Sequence, residues 1–465
     1  MRSTSFSSDV IPLYPAPLIE TSGRGAPWGA PWVDIGLICI FLLGLYTHYT
    51  IQFSPTVPFP SAPAGLAGIA MLWRHRHQLT PHAATTLLGV VLLYLLSILC
   101  ATDLSFLARR FNGFIQLVYS IVIGFGLFLT ATSVSRRQLA GIFLCFSLVI
   151  LIGCLLEDYG GLRQFSDSVR QSLYSAGIYD ADYRDELLYG RIRPKFFASE
   201  PASVTFTYSL FSFIWLAVSR WRGKLLVYFA LIGIGAFAMP GPTLLLMVLL
   251  ILPYALFIAS SESGSGGNRL DASRFLKIAC LGTILIGAAI VMANTLFTER
   301  LNDITAGNDA SFFYRVRGPA LAARYIAQNY PIAGAGLTGE PYIEREIANE
   351  YLRSPAYSRD WPIVSPATEL VINFFFLHWI YLGLVWGSIM IAAVTLWLRA
   401  IGIPSAAFCW LVWAILGQAS GAYVGPLAWA VLYLAGAAAL SQRQLEPSLP
   451  RSPFRPRWPV FERIS

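Results

Sequence analysis

Charge is what this sequence lacks most. Only 12% of its 465 residues are Asp, Glu, Lys or Arg, and 56% are hydrophobic. Soluble domains carry about 25% charged residues, so a set of ordinary soluble domains is excluded. Lysine is nearly missing. Of 33 basic residues only Lys195, Lys224 and Lys277 are lysines, and the rest are arginines. Arginine's planar fork binds carboxylate or phosphate through two parallel hydrogen bonds, which lysine cannot do. Paired cysteines are also absent. Cys39, Cys100, Cys145, Cys154, Cys280 and Cys409 all lie in apolar runs with no CxxC spacing, which excludes a zinc site or a disulfide framework and reads as small buried hydrophobes. No Gly-rich phosphate loop or dinucleotide fingerprint appears. Residues 1–31 lack the charged and apolar regions of a signal peptide, so the first apolar run is read as a retained helix. The centres of the apolar runs hold almost no ionisable residues, where ion-coupled transporters place them.

What the sequence does have is long hydrophobic runs. A spanning helix needs about 20 mostly apolar residues, and candidates fall at 32–53, 57–73, 83–101, 112–133, 138–156, 202–219, 223–239, 241–259, 275–296, 367–398, 404–421 and 424–440. The pattern predicts an all-α polytopic membrane protein with about twelve transmembrane helices. The second run is short and rich in Pro and Gly. Basic residues in short loops set orientation. Arg74/Arg76, Arg136/Arg137, Arg220/Arg222/Lys224, Arg269/Arg274/Lys277, Arg399 and the C-terminal arginines all fall on one side, which places both termini in the cytoplasm. Arg109 and Arg110 fall on the other side.

This register divides the chain into a cytoplasmic tail at 1–31, helices at 32–156, an external loop at 157–200, central helices at 201–296, a large external loop at 297–366, C-terminal helices at 367–440 and a basic, Pro-rich cytoplasmic tail at 441–465. The two external loops hold 13 of the 33 basic residues. Long loops escape the positive-inside bias, so those arginines call for another explanation. Val169, Leu173 and Ala176, and again Ile343, Ile347 and Tyr351, repeat at helical spacing and predict short amphipathic helices. Pro319 with Ala320–Ala323 predicts a helix start, and Pro331 with Gly334, Gly336 and Gly339 a turn.

Three segments carry candidate chemistry. In Arg191-Ile192-Arg193-Pro194-Lys195-Phe196-Phe197-Ala198-Ser199-Glu200-Pro201, three cations precede a helix whose first position suits Pro201, with Ser199 or Glu200 as its cap. A helix N-terminus offers free N–H groups and partial positive charge, so adjacent arginines suit a diphosphate; the alternative is that they meet lipid headgroups. In Tyr314-Arg315-Val316-Arg317-Gly318-Pro319, two arginines again precede a helix start, or else decorate a solvated loop. In Ser365-Pro366-Ala367-Thr368-Glu369 the chain returns to an apolar run, with Glu369 either a functional carboxylate or part of a cap. His378, within FFFLHWIY, reads as a packed side chain.

Taken in order, these segments resemble the bacterial O-antigen polymerase and ligase superfamily. RPKFFASEPAS at 193–203 is similar to its Arg…Phe…Glu-Pro-Ser segment, RVRGPALAARYIAQNYPIAGAGL at 315–337 to its large external loop, and ELVINFFFLHWIYLGLVWG at 369–387 to the helix that follows. The resemblance covers about 190–390 in detail. Ligases of the family carry a His-Asn pair where Ile372-Asn373 stands here, which favours a polymerase.

The resemblance implies a lipid-dependent, GT-C-like glycosyltransferase at the periplasmic face of the bacterial inner membrane. Its donor would be an undecaprenyl-diphosphate-linked glycan and its acceptor a second lipid-linked repeat unit. No cofactor, metal or nucleic acid is implied; membrane lipids, a flippase and a chain-length regulator are the expected partners. Negative charge grows on a departing diphosphate, and positioned arginines stabilise it. Arg193 and Arg315 are expected to bind first, supported by Arg191 and Arg317. Glu200, then Glu369, is the expected base for the acceptor hydroxyl. An O-antigen ligase, or a lipid-linked-sugar flippase, is the competing reading.

Overall fold

The computed structural model describes residues 31–54, 57–101, 106–174, 178–259, 309–358 and 370–443, with scattered positions between 283 and 306. The expected run at 275–296 and Glu369 therefore lie outside the fully described residues. Helices dominate: α1 (Pro31–Thr47), α2 (Ala62–Arg74), α3 (Pro81–Leu99), α4 (Leu107–Ser133), α5 (Arg136–Tyr159), α6 (Arg163–Leu173), α7 (Asp182–Tyr189), α8 (Pro201–Val218), α9 (Lys224–Ala238), α10 (Leu245–Pro253), α11 (Gly318–Asn329), α12 (Glu344–Arg353), α13 (Phe374–Ala400), α14 (Ala406–Leu416) and α15 (Pro426–Arg443). The strands Ile51–Ser54 and Val57–Phe59 form a small antiparallel ribbon.

Six helices among the described residues are long and apolar enough to cross a membrane: α3, α4, α5, α8, the 18-residue Pro242–Ala259 and α13. The short second run resolves into the ribbon followed by α2, whose 13 residues reach about 20 Å at 1.5 Å per residue. That is less than a hydrocarbon core of roughly 30 Å. Large apolar side chains stand exposed in rows, Leu88, Leu92, Leu96 and Leu99 on α3 and Leu148, Val149, Ile152 and Leu156 on α5. In an ordinary monomer such rows would be buried; facing lipid they are at home.

Where apolar lipid gives helices no reason to associate, close backbone approach does. A side chain added at Gly126 would meet the Gly68 carbonyl oxygen at 2.3 Å, and one at Gly44 would meet Ala64 at 2.3 Å. These glycines let α1, α2 and α4 pack backbone to backbone. Helix α8 sits at the centre, with all but one of its residues buried.

Three of the expected loop helices are present. Helix α6 covers part of the first loop, α11 starts at Gly318 with Pro319 next, and α12 buries Ile347 and Tyr351. The glycine turn does more than reverse the chain. It docks into a break in α13, where Gly383 adopts φ 68°. Leu384 and Val385 donate backbone N–H bonds to the Pro331 carbonyl, Trp386 to Ile332, and Ala335 and Gly336 donate to Ile380 and Tyr381. Two interrupted backbones thus satisfy each other, the condition on which irregular chain is tolerated inside a membrane protein. Gly334 and Gly383 are both left-handed, and a side chain added to either would meet the other's backbone nitrogen within 2.7 Å.

Candidate functional site

The segment before α8 is held unusually firmly. Phe196 and Phe197 have φ of 31° and 63°, a region costly for bulky residues. Their amides are paid for in kind: the buried Glu157 carboxylate accepts from the Lys195 N–H at 3.0 Å and from the Phe196 N–H at 2.5 Å, and Ser166 Oγ accepts from Phe197 at 3.1 Å. Arg170 on α6 donates to the carbonyls of Ala198 (2.7 Å) and Ser199 (3.0 Å). Strain of this kind persists only where surrounding structure over-determines it, and here it fixes Arg193 and Glu200 relative to α8.

Arg193 and Glu200 face a cavity of about 620 Å³, within the size range of small-molecule sites, roughly 300–1,000 Å³. Arg315, from the second loop, lines the same cavity. The Arg315 guanidinium stands 4.0 Å from the Glu200 carboxylate, so residues 115 positions apart meet across one space. Asn373 braces this arm. Its amide donates to the Arg315 carbonyl at 2.8 Å and to Gln418 Oε1 at 3.0 Å, and its own oxygen caps α13 through Phe376. The Ile372 N–H adds a bond to the Tyr314 carbonyl.

Arg193 is the more rigid of the two arginines. It donates to Asp185 at 2.8 Å and to the Tyr179 hydroxyl at 3.0 Å, and its plane lies over Tyr189 and Tyr179. Burial works against its charge, but Tyr189, Asp185 and Tyr179 outweigh that and its pKa is raised. It therefore stays cationic. Burial also raises the Tyr179 pKa.

Sequence reasoning missed a third arginine on this cavity. Arg184, on α7, lines it together with Leu188, one helical turn on, and its guanidinium is 3.5 Å from Asp309. The i, i+4 spacing of an arginine and a leucine in DYRDELLY was the available signal. Tyr179, Thr205, Thr243, Ser311 and Gln418 add neutral polar groups, while Ala202, Pro242, Leu245, Leu246 and Ile372 make an apolar wall.

Two expected ligands fall elsewhere. Arg191 pairs with Asp158 at 3.1 Å and donates to the Tyr159 hydroxyl and the Phe237 carbonyl, tying the loop to α5 and α9 rather than lining the cavity. Arg317 is exposed and also off the cavity wall. In a helical turn, side chains two apart point to opposite sides, so Arg315 and Arg317 cannot share one site. Nor does either proposed cap form as expected: Glu200 is the residue before α8, but its side chain makes no capping bond and instead accepts from Ser203 at 3.4 Å. His378 is packed, as expected, between Tyr423 and the Gly387 carbonyl.

The described residues of the site thus gather three cations, one carboxylate, neutral hydrogen-bonding groups and an apolar wall. Among the described residues, no three His, Cys, Asp or Glu side chains gather into a metal-type cluster. The arrangement suits an amphiphile with an anionic head and a hydrophobic tail. No protein-family model matches the chain, and no curated protein matches it significantly.

Proposed function

We propose that this chain is a membrane glycosyltransferase that polymerises polyprenyl-diphosphate-linked oligosaccharides, working from the periplasmic face of a bacterial inner membrane with about twelve spans and both termini cytoplasmic. One observation carries the reading: arginines from two separate loops, with one carboxylate between them, face a single cavity that has an apolar wall.

In this reading the diphosphate of the donor lies against Arg193, Arg315 and Arg184, and the polyprenyl chain runs along Leu245 and Leu246. The acceptor sugar's hydroxyl oxygen attacks the anomeric carbon of the donor. The bond from that carbon to the diphosphate oxygen breaks, and the lipid diphosphate leaves with the electron pair. Its growing charge meets guanidinium groups already in place, the most effective form of electrostatic stabilisation because nothing must reorganise during the step. Glu200, the one acidic side chain among the described residues of the cavity wall, takes the acceptor's proton. Thr205, Thr243 and Gln418 offer hydrogen bonds to sugar hydroxyls.

The test is turnover. Purified full-length protein in lipid nanodiscs, given polyprenyl-diphosphate-linked repeat units, is expected to produce a ladder of longer lipid-linked glycans. Transport of the substrate across a vesicle membrane without any ladder would overturn the reading in favour of a flippase, and transfer to a lipid A acceptor in place of a ladder would make the protein a ligase.

A further inference from the structure

Helices α5 and α9 carry apolar faces on the outside of the bundle, and these faces converge at one end. On α9 the exposed residues Leu226, Phe229, Gly233 and Phe237 recur at spacings of three and four, along one face of the helix. On α5 Val149, Ile152, Leu156 and Tyr159 do the same. The two stripes meet where the Tyr159 and Phe237 rings lie stacked, with centroids 5.9 Å apart and planes 4° from parallel. Both rings are exposed. A side chain added at Gly233 meets no described atom within 4 Å. Between Phe229 and Phe237 the α9 stripe therefore carries a notch that opens outward.

At the stacked rings stand two arginines that do not line the cavity. Arg191 lies over the Phe237 ring at 5.3 Å and donates to the Tyr159 hydroxyl and the Phe237 carbonyl. It shares the Asp158 carboxylate with Arg163, at 3.1 Å and 2.8 Å. Arg163 also donates to the Ile192 carbonyl at 3.0 Å. A guanidinium carries more N–H donors than these bonds use. The Arg191 and Arg163 side chains are 26% and 27% exposed, but the carboxylate that joins them only 4%. The outward surface is therefore cationic. Two cations on one carboxylate leave one net positive charge. Glu157 does not cancel it, because its carboxylate turns inward to the Lys195 and Phe196 amides. Helix α6 starts at Arg163, so the positive end of its dipole adds to the two arginines.

We propose that this is a binding site for an anionic phospholipid of the surrounding bilayer, with its phosphate on Arg163 and Arg191 and one acyl chain in the Gly233 notch. The inference rests on the chain lying in a membrane and not on the polymerase reading. Guanidinium groups match phosphate oxygens in geometry and charge, and an exposed tyrosine at a helix end suits the headgroup level. A chain leaving that phosphate toward the bilayer centre runs down the α5 and α9 stripes. Net charge selects the headgroup. A lipid with a single negative charge balances the site. A zwitterionic lipid brings an ammonium, and the nearby carboxylate, Asp158, is already shared by two arginines and covered. Because Arg163 also holds Ile192, a lipid seated here braces the segment that leads to Arg193.

Native mass spectrometry of the full-length protein in detergent tests this, with phosphatidylglycerol or phosphatidylcholine of the same acyl chains as the added lipid. The first phosphatidylglycerol adduct is expected to form about fivefold more tightly than the first phosphatidylcholine adduct, the gain that one cation brings at an anionic membrane surface. Asp158→Asn/Arg163→Gln/Arg191→Gln removes the three charges together and strands no carboxylate. It is expected to bind the two lipids equally, whereas Arg315→Gln, on the cavity, keeps the preference. Gly233→Leu leaves every charge in place and fills the notch. It is expected to weaken phosphatidylglycerol binding about fourfold, the contribution of one buried methylene group.

Equal affinity of the wild type for the two lipids overturns the proposal. So does a preference that the triple variant keeps or that Arg315→Gln abolishes. If the triple variant does not fold, Gly233→Leu decides, and unchanged phosphatidylglycerol binding there overturns it. Farnesyl diphosphate, a soluble polyprenyl diphosphate, is expected to leave the bound phosphatidylglycerol in place. Its displacement one for one would assign the site to lipid diphosphates and overturn the choice of occupant.

Discussion

Two places in this molecule bring arginines and glutamates together against the helical bundle, and they end differently. At the first, Arg193, Arg315, Arg184 and Glu200 surround about 620 Å³ of space. At the second, Arg109 at the start of α4 meets Glu340, with Arg110 packed beside it on the same glycine turn, and the space is filled. Arg110 is fully buried and donates to the Ala335 carbonyl at 2.9 Å, and a side chain added at Gly336 would collide with its guanidinium at 2.7 Å. Glu340 accepts from the Tyr381 hydroxyl, with Arg109 at 3.8 Å. The same residue types line an open cavity in one place and make a latch in the other. What separates them is whether the backbone closes on the charge. Glycines at 334, 336 and 383 let it close at the latch; rigid, over-determined chain on both sides of the cavity keeps it open at the site.

The largest effects should separate the two regions by what they damage. Arg315→Ala is expected to reduce polymer formation by about 10²–10³-fold, the usual cost of one electrostatic donor, with the melting temperature in detergent almost unchanged. Arg193→Ala should reduce activity as much but also lower the melting temperature, because it strands the buried Asp185 carboxylate. Equal thermal behaviour of the two variants would break the distinction drawn between a rigid and a working arginine.

Gly383→Ala attacks the latch alone. A left-handed conformation costs a non-glycine residue about 1–3 kcal/mol, and the new methyl would also meet the Pro331 carbonyl oxygen at 2.8 Å. The variant should melt at a clearly lower temperature, and measuring farnesyl diphosphate affinity on the folded fraction should show little change.

Glu340 gives a smaller, pH-dependent effect. Burial raises its pKa, partly opposed by Tyr381 and Arg109. A carboxyl whose folded pKa lies above its unfolded value binds more protons when folded, so its contribution to stability grows as pH falls toward the unfolded pKa near 4.3 and is lost as pH rises through the folded one. Glu340→Gln should flatten that dependence and melt at or above the wild-type temperature at pH 7; thermal scans between pH 5 and 8 decide it. The smallest effect is expected at Glu350, whose 3.0 Å pair with a 77% exposed Arg353 side chain is a solvent-screened helix pair. Glu350→Ala should change stability by less than about 0.5 kcal/mol.

Much of the framework among the described residues was legible because most long apolar runs become helices, which satisfy their own backbone. The sequence also made Arg193, Glu200 and Arg315 legible as candidates, since each sits where a loop turns into a helix. It misassigned Arg191 and Arg317, because charge density in a motif says nothing of direction. Arg191 is drawn off by Asp158, and Arg317 lies across a helical turn from Arg315. Arg184 was invisible for the opposite reason. It gains its meaning from a chain segment far away in sequence, through Asp309. The docking of the glycine turn into α13 was equally hidden, since nothing local in PIAGAG names the helix break it fills.

The central claim is that guanidinium groups of two loops hold one lipid diphosphate, and direct binding tests it most plainly. Farnesyl diphosphate and farnesol should be titrated into the purified wild type and into Arg193→Lys and Arg315→Lys. The account predicts that the wild type binds the diphosphate at least tenfold more tightly than the alcohol and that each lysine variant loses most of that preference. Equal affinity for the two ligands, or a preference that both variants keep in full, would contradict it.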